Sequence, residues 1–164
     1  MSLEKQIAQI FKLKGDSWLK HANPLSVWTR FLTLPFLVLA IWSRVWISWY
    51  CLIPITVIIV WLIINPTLFK KPKKFDNWAS KSVLGERYWS ERKENKVPNQ
   101  HNTLILILTI LQIIGVIVLI VGLWKLRISL TIIGMVMIYL SKMWFLDRMV
   151  WIYEDMKKRH IYSE

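Results

Sequence analysis

The chain has 164 residues, of which 55% are apolar and 11 are tryptophan, yet its net charge is +12 at pH 7. A soluble domain of this composition would expose large apolar patches, so the composition indicates an integral membrane protein. Cys51 is the only cysteine, which excludes an intrachain disulfide and a cysteine-based metal site.

The N-terminal segment is polar and basic and lacks the apolar core of a signal peptide, so we expect no cleaved leader. Within it, residues 2–14 place Leu3, Ile7, Ile10 and Phe11 at helical spacing between lysines. This pattern predicts an amphipathic helix in the plane of the membrane interface. The alternative is a frayed polar tail.

Four apolar stretches follow. Residues 45–64 and 103–124 contain no charge over 20 and 22 residues, enough for a helix to cross a hydrocarbon core of about 30 Å. Shorter apolar stretches lie at 31–42 and 128–141. We therefore predict an all-α membrane protein whose four transmembrane helices form two hairpins, at about 25–43 with 45–64 and 103–124 with 128–147.

The basic residues predict the orientation. The termini and the loop between the hairpins carry 19 Lys and Arg residues, and the opposite side carries only Arg44, Lys125 and Arg127. The positive-inside rule then places both termini and the loop in the cytoplasm, and the protein in the plasma membrane. The single integral domain, 1–164, divides into an interfacial segment at 1–22, a first hairpin at 24–64, a cytoplasmic loop at 65–102, and a second hairpin with a helical extension at 103–159.

Two backbone features concern the spans. Pro35 and Pro54 lie near mid-membrane on the two arms of the first hairpin, where each removes a helical hydrogen bond. They indicate either a polar midplane site or ordinary kinks. In the second hairpin, Gly115 and Gly122 are seven residues apart on the third span, and Gly134 and Ser141 are seven apart on the fourth, which predicts close helix packing. The last helix has no proline and is expected to continue into the cytoplasm to about residue 159.

The central loop begins with four lysines, Lys70, Lys71, Lys73 and Lys74. Asp76 is the expected N-cap of a helix that ends near residue 93, with Trp78, Gly85 and Trp89 in one stripe. Such a helix is typical of one that lies on a membrane with its aromatic rings in lipid, which predicts binding of anionic phospholipid headgroups. The alternative is a solvated loop.

Charged residues at the cytoplasmic boundary are the candidate site. Arg30 and Lys142 lie inside the apolar spans, where a charge is costly unless it is paired. We expect Arg30 to pair with Asp147, or else with Glu86, or to reach lipid phosphates. The candidate lipid or ion-pair residues are Arg30, Lys81, Glu86, Arg87, Lys142, Asp147 and Arg148. The expected interfacial aromatic residues are Trp28, Trp78, Trp89, Trp144 and Trp151.

No catalytic or nucleotide-binding motif occurs in the sequence. His21, His101 and His160 are scattered and expected to be exposed, so no catalytic residue, cofactor or metal site is predicted, and no nucleic-acid partner. The favoured function is non-catalytic binding of lipid, of a membrane-protein partner or of a second copy of the chain. The alternatives are a membrane enzyme that acts on a lipid headgroup, and an oligomeric channel or transporter.

Four sequence motifs occur in order: HANPLSVWTR at 21–30, NPTLF at 65–69, DNWASK at 76–81 with VLGER at 83–87, and KMWFLD at 142–147. In these the chain resembles a family of small prokaryotic membrane proteins with four spans, known as a domain of unknown function. The resemblance covers nearly the whole chain. It implies a small prokaryotic membrane protein and no particular activity.

Overall fold

The computed structural model describes residues 16–92 and 97–162, and every regular element in those ranges is helical. The amphipathic helix expected at 2–14 lies outside them. The helices are α1 (Asp16–His21), α2 (Pro24–Trp42), α3 (Arg44–Ile47), α4 (Leu52–Leu68), α5 (Trp78–Ser90), α6 (Asn102–Trp124) and α7 (Ile128–Tyr162), with short 3₁₀ turns at Ser48–Cys51 and Asn99–His101. The predicted all-α class is confirmed for the described residues.

Three helical segments are long and apolar enough to cross a membrane: Pro24–Asn65, Asn99–Trp124 and Ile128–Arg159. Most of their apolar side chains face outward rather than into the protein. Outward apolar surface on this scale is stable against lipid and unfavourable in water. The architecture fits a membrane protein.

The first of these segments folds back on itself. Helical backbone is interrupted at Ser48, whose φ of 49° lies in the left-handed region. The Ser26 hydroxyl donates to the Asn65 side-chain oxygen at 2.7 Å, and the Asn65 amide donates to the Thr29 hydroxyl at 2.9 Å. A continuous helix would hold residues 26 and 65 roughly 60 Å apart. Helices α2 and α4 therefore form an antiparallel hairpin.

The second hairpin is held by close contact between α6 and α7. A Cβ atom added to Gly122 would lie 2.5 Å from the backbone nitrogen of Thr131, and one added to Gly134 would lie 2.5 Å from that of Leu119. Larger side chains would force the helices apart. The predicted packing on small residues is confirmed. The expected single rod is also confirmed, since α7 runs unbroken from Ile128 to Tyr162.

Helix α5 packs on the part of α7 that extends beyond the second hairpin. A Cβ atom on Gly85 would lie 1.8 Å from the carbonyl oxygen of Met149, so the two backbones touch. The N-cap is Asn77, whose side chain accepts from the Ala79 amide, rather than the expected Asp76. Trp89 is buried against α7. The expectation that this stripe lies in lipid was wrong, because the stripe is the protein-packing face of the helix.

The two hairpins are also joined at the end where α3 lies. The Arg44 guanidinium donates to the carbonyl oxygens of Leu123 and Trp124, the last residues of α6. A helix C-terminus has unpaired carbonyls and a partial negative charge, which a guanidinium satisfies. The molecule therefore has a turn end, which contains Arg44 and Trp124, and a loop end, which contains α1, α5 and the extension of α7.

Candidate functional site

Three charged side chains from three different helices meet in one cavity at the loop end. Arg30 comes from α2, Glu86 from α5 and Lys142 from α7, and the cavity has a volume of about 250 Å³. The rest of its lining is apolar or aromatic: Val27, Phe31, Leu34, Val83, Ile138, Tyr139 and Leu146. The cavity thus combines a charged cluster with an apolar wall.

The position of Arg30 follows from the start of α2. The Asn23 side chain accepts from the Leu25 amide at 2.9 Å, and Pro24 occupies the first helical position. Both features fix where a helix begins. Arg30 then lies about 9 Å, or about 1.7 turns, along α2 from Pro24.

Glu86 and Lys142 form an ion pair across the cavity. The Lys142 ammonium donates to the Glu86 carboxylate at 2.9 Å, and their side chains are 35% and 24% exposed respectively. Burial alone would raise the pKa of Glu86. The charge and hydrogen bond of Lys142, together with the charge of Arg30, outweigh burial and hold that pKa below its usual value of 4.5. Glu86 is therefore ionised at neutral pH.

Arg30 is held by two hydrogen bonds. Its Nη1 donates to His21 Nε2 at 2.5 Å, and its Nε donates to the Ser26 carbonyl at 3.0 Å. A guanidinium has no acceptor, so His21 Nε2 must carry a lone pair and the imidazole is neutral. Burial, reinforced by the charge of Arg30, lowers the pKa of His21 to about 3. His21 is 6% exposed, which corrects the expectation that it lies at the surface.

The cluster therefore carries one positive charge in excess. Arg30 and Lys142 are cations, Glu86 is the single anion that lines the cavity, and His21 is neutral. An excess charge beside apolar walls is costly because little water is available to solvate it. One further negative charge in the cavity would bring the cluster to neutrality.

Arg30 does not lie next to Asp147, the partner expected first. Asp147 accepts a hydrogen bond from the Trp78 indole at 3.4 Å and does not line the cavity, so the first-choice pairing was wrong. Glu86, the second choice, lies in the cavity with Arg30. Asp147 follows Lys142 by five residues, about 140° around α7. Of these two residues, only Lys142 faces α2.

The other candidate charges lie outside the cavity. Lys81 pairs with Glu154 at 2.6 Å, where α5 crosses the extension of α7. The Arg148 guanidinium lies 5.7 Å from the Trp151 ring centre. Arg87 is half-buried on α5 and is not part of the lining. His101 is buried as well, with Nε2 3.1 Å from an Asp155 carboxylate oxygen, so its expected exposure was also wrong.

The tryptophans divide by position. Of the five expected at the interface, Trp28, Trp144 and Trp151 are about half exposed, Trp78 is half-buried with its ring 6.0 Å from that of Trp28, and Trp89 is buried. At the turn end, Trp46, Trp49 and Trp124 are more than 70% exposed. Exposed tryptophan at both ends of apolar helices is typical of the two aromatic belts of a membrane protein.

Two residues at the site, Tyr139 and His21, were not predicted from the sequence. Tyr139 precedes Lys142 by three residues on α7, so the shared helix face was a signal for it. His21 lies just outside the first span, and nothing in the spacing indicated its contact with Arg30. In residues 16–92 and 97–162, His, Cys, Asp and Glu side chains do not gather in groups of three that would suit a metal ion.

Helices long and apolar enough to cross a membrane, tryptophans exposed at both ends and a charged cluster beside apolar walls fit a helical membrane protein. The chain belongs to a family of unknown function, DUF6653, whose family model matches residues 2–162. Comparison with curated proteins and with solved structures found no match.

Proposed function

We propose that the chain crosses the membrane four times, with the first hairpin contributing two spans. Helices α2 and α4, of 19 and 17 residues, are about 28 and 25 Å long, close to the thickness of a hydrocarbon core. Their antiparallel packing supports a double crossing. The positive-inside rule would then place the loop end in the cytoplasm, because 19 of the 22 Lys and Arg residues in the sequence belong to the termini and the loop between the hairpins.

The function that this geometry supports best is non-catalytic binding of anionic phospholipid at the cytoplasmic boundary. One contact carries the proposal. The Asn23 side-chain amide donates to the Lys70 carbonyl at 2.8 Å, which ties the start of the lysine run to the first turn of α2. The lysines therefore begin at the level where the span begins. Near a membrane surface each basic residue contributes about 1 kcal/mol of attraction to anionic lipid.

Exposed tryptophans support placing the membrane boundary at the same level along the helices. Trp28 lies one turn into α2, and Trp144 is two residues beyond Lys142 on α7. Both rings are about half exposed. Tryptophan prefers the headgroup layer, where its ring is in an apolar environment and its N–H reaches polar groups. The lysines and these rings would form one continuous boundary layer.

Lipid retention in a mild detergent tests the proposal. The purified protein would be incubated with equal amounts of phosphatidylglycerol and phosphatidylcholine, and the retained lipid counted by native mass spectrometry. We expect preferential retention of phosphatidylglycerol, reduced several-fold when Lys70, Lys71, Lys73 and Lys74 are all changed to Gln. The matched control, Lys125→Gln with Arg127→Gln, removes charge at the turn end and should keep the preference. Equal retention of the two lipids by the unmodified protein would contradict the proposal.

A further inference from the structure

We infer that the cavity between α2, α5 and α7 is a discrete site for the phosphodiester headgroup of one anionic phospholipid, with Arg30 and Lys142 binding the phosphate. This inference rests on the proposed function and adds a stoichiometric site to it. The loop lysines, Lys70, Lys71, Lys73 and Lys74, would attract many lipids loosely, whereas the cavity would bind one.

Charge complementarity indicates the class of ligand. With His21 neutral, Arg30 and Lys142 face a single carboxylate, Glu86. A phosphodiester with one negative charge brings the cluster to neutrality. A zwitterionic headgroup would bring a third cation beside Arg30 and Lys142 and would leave the excess of positive charge in place. Guanidinium and ammonium groups are the usual phosphate ligands of proteins.

The guanidinium is fixed before any ligand binds. Its Nε and Nη1 are held by the Ser26 carbonyl and by His21. A side chain restrained at two of its nitrogen atoms loses little conformational entropy on binding. Ser26 is itself buried and bonded to Asn65, so the support for Arg30 extends into the first hairpin. These contacts amount to a built site rather than a loose surface charge.

Apolar lining continues from the charged residues toward the turn end of the molecule. Leu34 lies four residues beyond Arg30 along α2, and Ile138 lies four residues before Lys142 along α7, each about 6 Å further from the loop end. On the turn-end side of the charges the cavity wall is thus apolar, and Val27 and Leu146 add apolar surface on the loop-end side. An apolar wall that continues from the charges into the bundle suits a lipid, in which a phosphate leads into an acyl chain, better than free phosphate.

The volume limits how much of the lipid enters. At about 250 Å³ the cavity is smaller than the roughly 300–1,000 Å³ of sites that enclose a whole ligand. It accommodates a headgroup and the first carbons of one chain. The rest of the lipid would lie in the bilayer along α2 and α7.

The Glu86 carboxylate opposes binding of the phosphate. It pairs with Lys142 in the empty site and would repel a phosphate brought close to both. Removing its charge while keeping its shape, as in Glu86→Gln, should therefore tighten lipid binding. If Glu86 served only to hold the helices together, the same change would weaken retention or leave it unaltered.

Titration with phosphatidylglycerol, read by native mass spectrometry in detergent, tests the site. We expect one tightly bound lipid per chain, a loss of at least tenfold in affinity for Arg30→Gln and a several-fold gain for Glu86→Gln. The control Lys125→Gln, which removes one exposed positive charge at the turn end, should leave the affinity unchanged. Inorganic phosphate at millimolar concentration should not displace the lipid. Displacement by phosphate would overturn the assignment to a lipid.

A second variant keeps the test valid if Arg30→Gln fails to fold, as judged by its helical circular dichroism. Leu34→Phe fills the apolar end of the cavity and leaves the charged cluster intact, so it should also abolish the tight lipid. Full retention by a folded Arg30→Gln or Leu34→Phe variant would overturn the site. If phosphatidylglycerol preference then persisted and depended on the loop lysines, the proposed function would still hold; with no preference in the unmodified protein, both would fail.

Discussion

The Tyr139 hydroxyl on α7 donates a hydrogen bond to the carbonyl oxygen of Phe31 on α2. That carbonyl would normally accept from the amide four residues later, but this position is Pro35, which has no N–H. The side chain of one hairpin thus satisfies the acceptor that a proline leaves unpaired in the other. The two rings also stack, with centroids 6.0 Å apart. Of the two interpretations offered for Pro35, this favours a packing role.

Removing the Tyr139 hydroxyl should destabilise the protein in a way that depends on Pro35. Tyr139→Phe leaves the Phe31 carbonyl unpaired, which costs about 1–3 kcal/mol. In a Pro35→Ala background the residue 35 amide is restored, so the same change should cost less than about 1 kcal/mol. Unfolding free energies of the four proteins in detergent give the coupling directly. Equal costs in the two backgrounds would show that the hydroxyl acts elsewhere.

Of the four glycines that the structure describes, Gly85 is expected to be the least tolerant of substitution. A Cβ atom there would overlap the backbone of Met149, so Gly85→Ala should separate α5 from α7 and cost about 3 kcal/mol or more. Gly115→Ala is the matched control, because its added carbon would lie 3.0 Å from the Met137 side chain. Thermal unfolding should show a much larger loss for Gly85→Ala. Similar losses for the two variants would contradict the close crossing at Met149.

His21 should make stability fall as the pH drops below 6.5. Its pKa is about 3 in the folded protein and 6.5 when unfolded, so between these values only the unfolded state binds the proton. At pH 5 the loss relative to pH 7.5 is about 2 kcal/mol. Among the groups that act on His21, Arg30 and Lys142 lower its pKa in the same direction as burial and Glu86 raises it, and the pKa of Glu86 is itself below its usual value of 4.5.

The control for that prediction is His21→Gln, which can still accept a hydrogen bond from Arg30 and does not titrate. Melting temperatures of both proteins would be measured in detergent at pH 7.5 and pH 5. The unmodified protein should lose more stability than His21→Gln over this interval. Parallel losses would show that the acid sensitivity comes from another group.

Sequence patterns predicted the elements of this fold better than their contacts. Uncharged stretches indicate helices that face lipid, because a charge there is costly. They located α6 within one residue, whereas α4 begins seven residues later than the predicted start at 45, because Arg44–Ile47 and Ser48–Cys51 form separate short helices. Glycine spacing located the α6–α7 contact because only small residues permit such an approach. Both signals are local, so a single sequence contains them.

The partners across the cavity are not local. Helical periodicity shows which residues share a face, but the rotation of α7 relative to α2 decides whether Lys142 or Asp147 points at Arg30. The stripe of α5 poses a related problem, since aromatic residues at helical spacing suit a membrane surface and a protein contact equally well. Burial of Trp89 depends on Gly85, whose missing side chain lets α7 approach. Neither outcome is contained in the spacing alone.

Membrane topology is the most direct test of the central claim, that the chain crosses four times and places the cavity and the loop lysines on one side. Cys51 would be changed to Ser, and single cysteines introduced at Lys73, Gln100, Trp49 and Lys125. A membrane-impermeant thiol reagent would then be applied to sealed vesicles. We predict that Lys73→Cys and Gln100→Cys react from the cytoplasmic side only, and Trp49→Cys and Lys125→Cys from the opposite side only. Reaction of Trp49→Cys and Lys73→Cys from the same side would contradict the account.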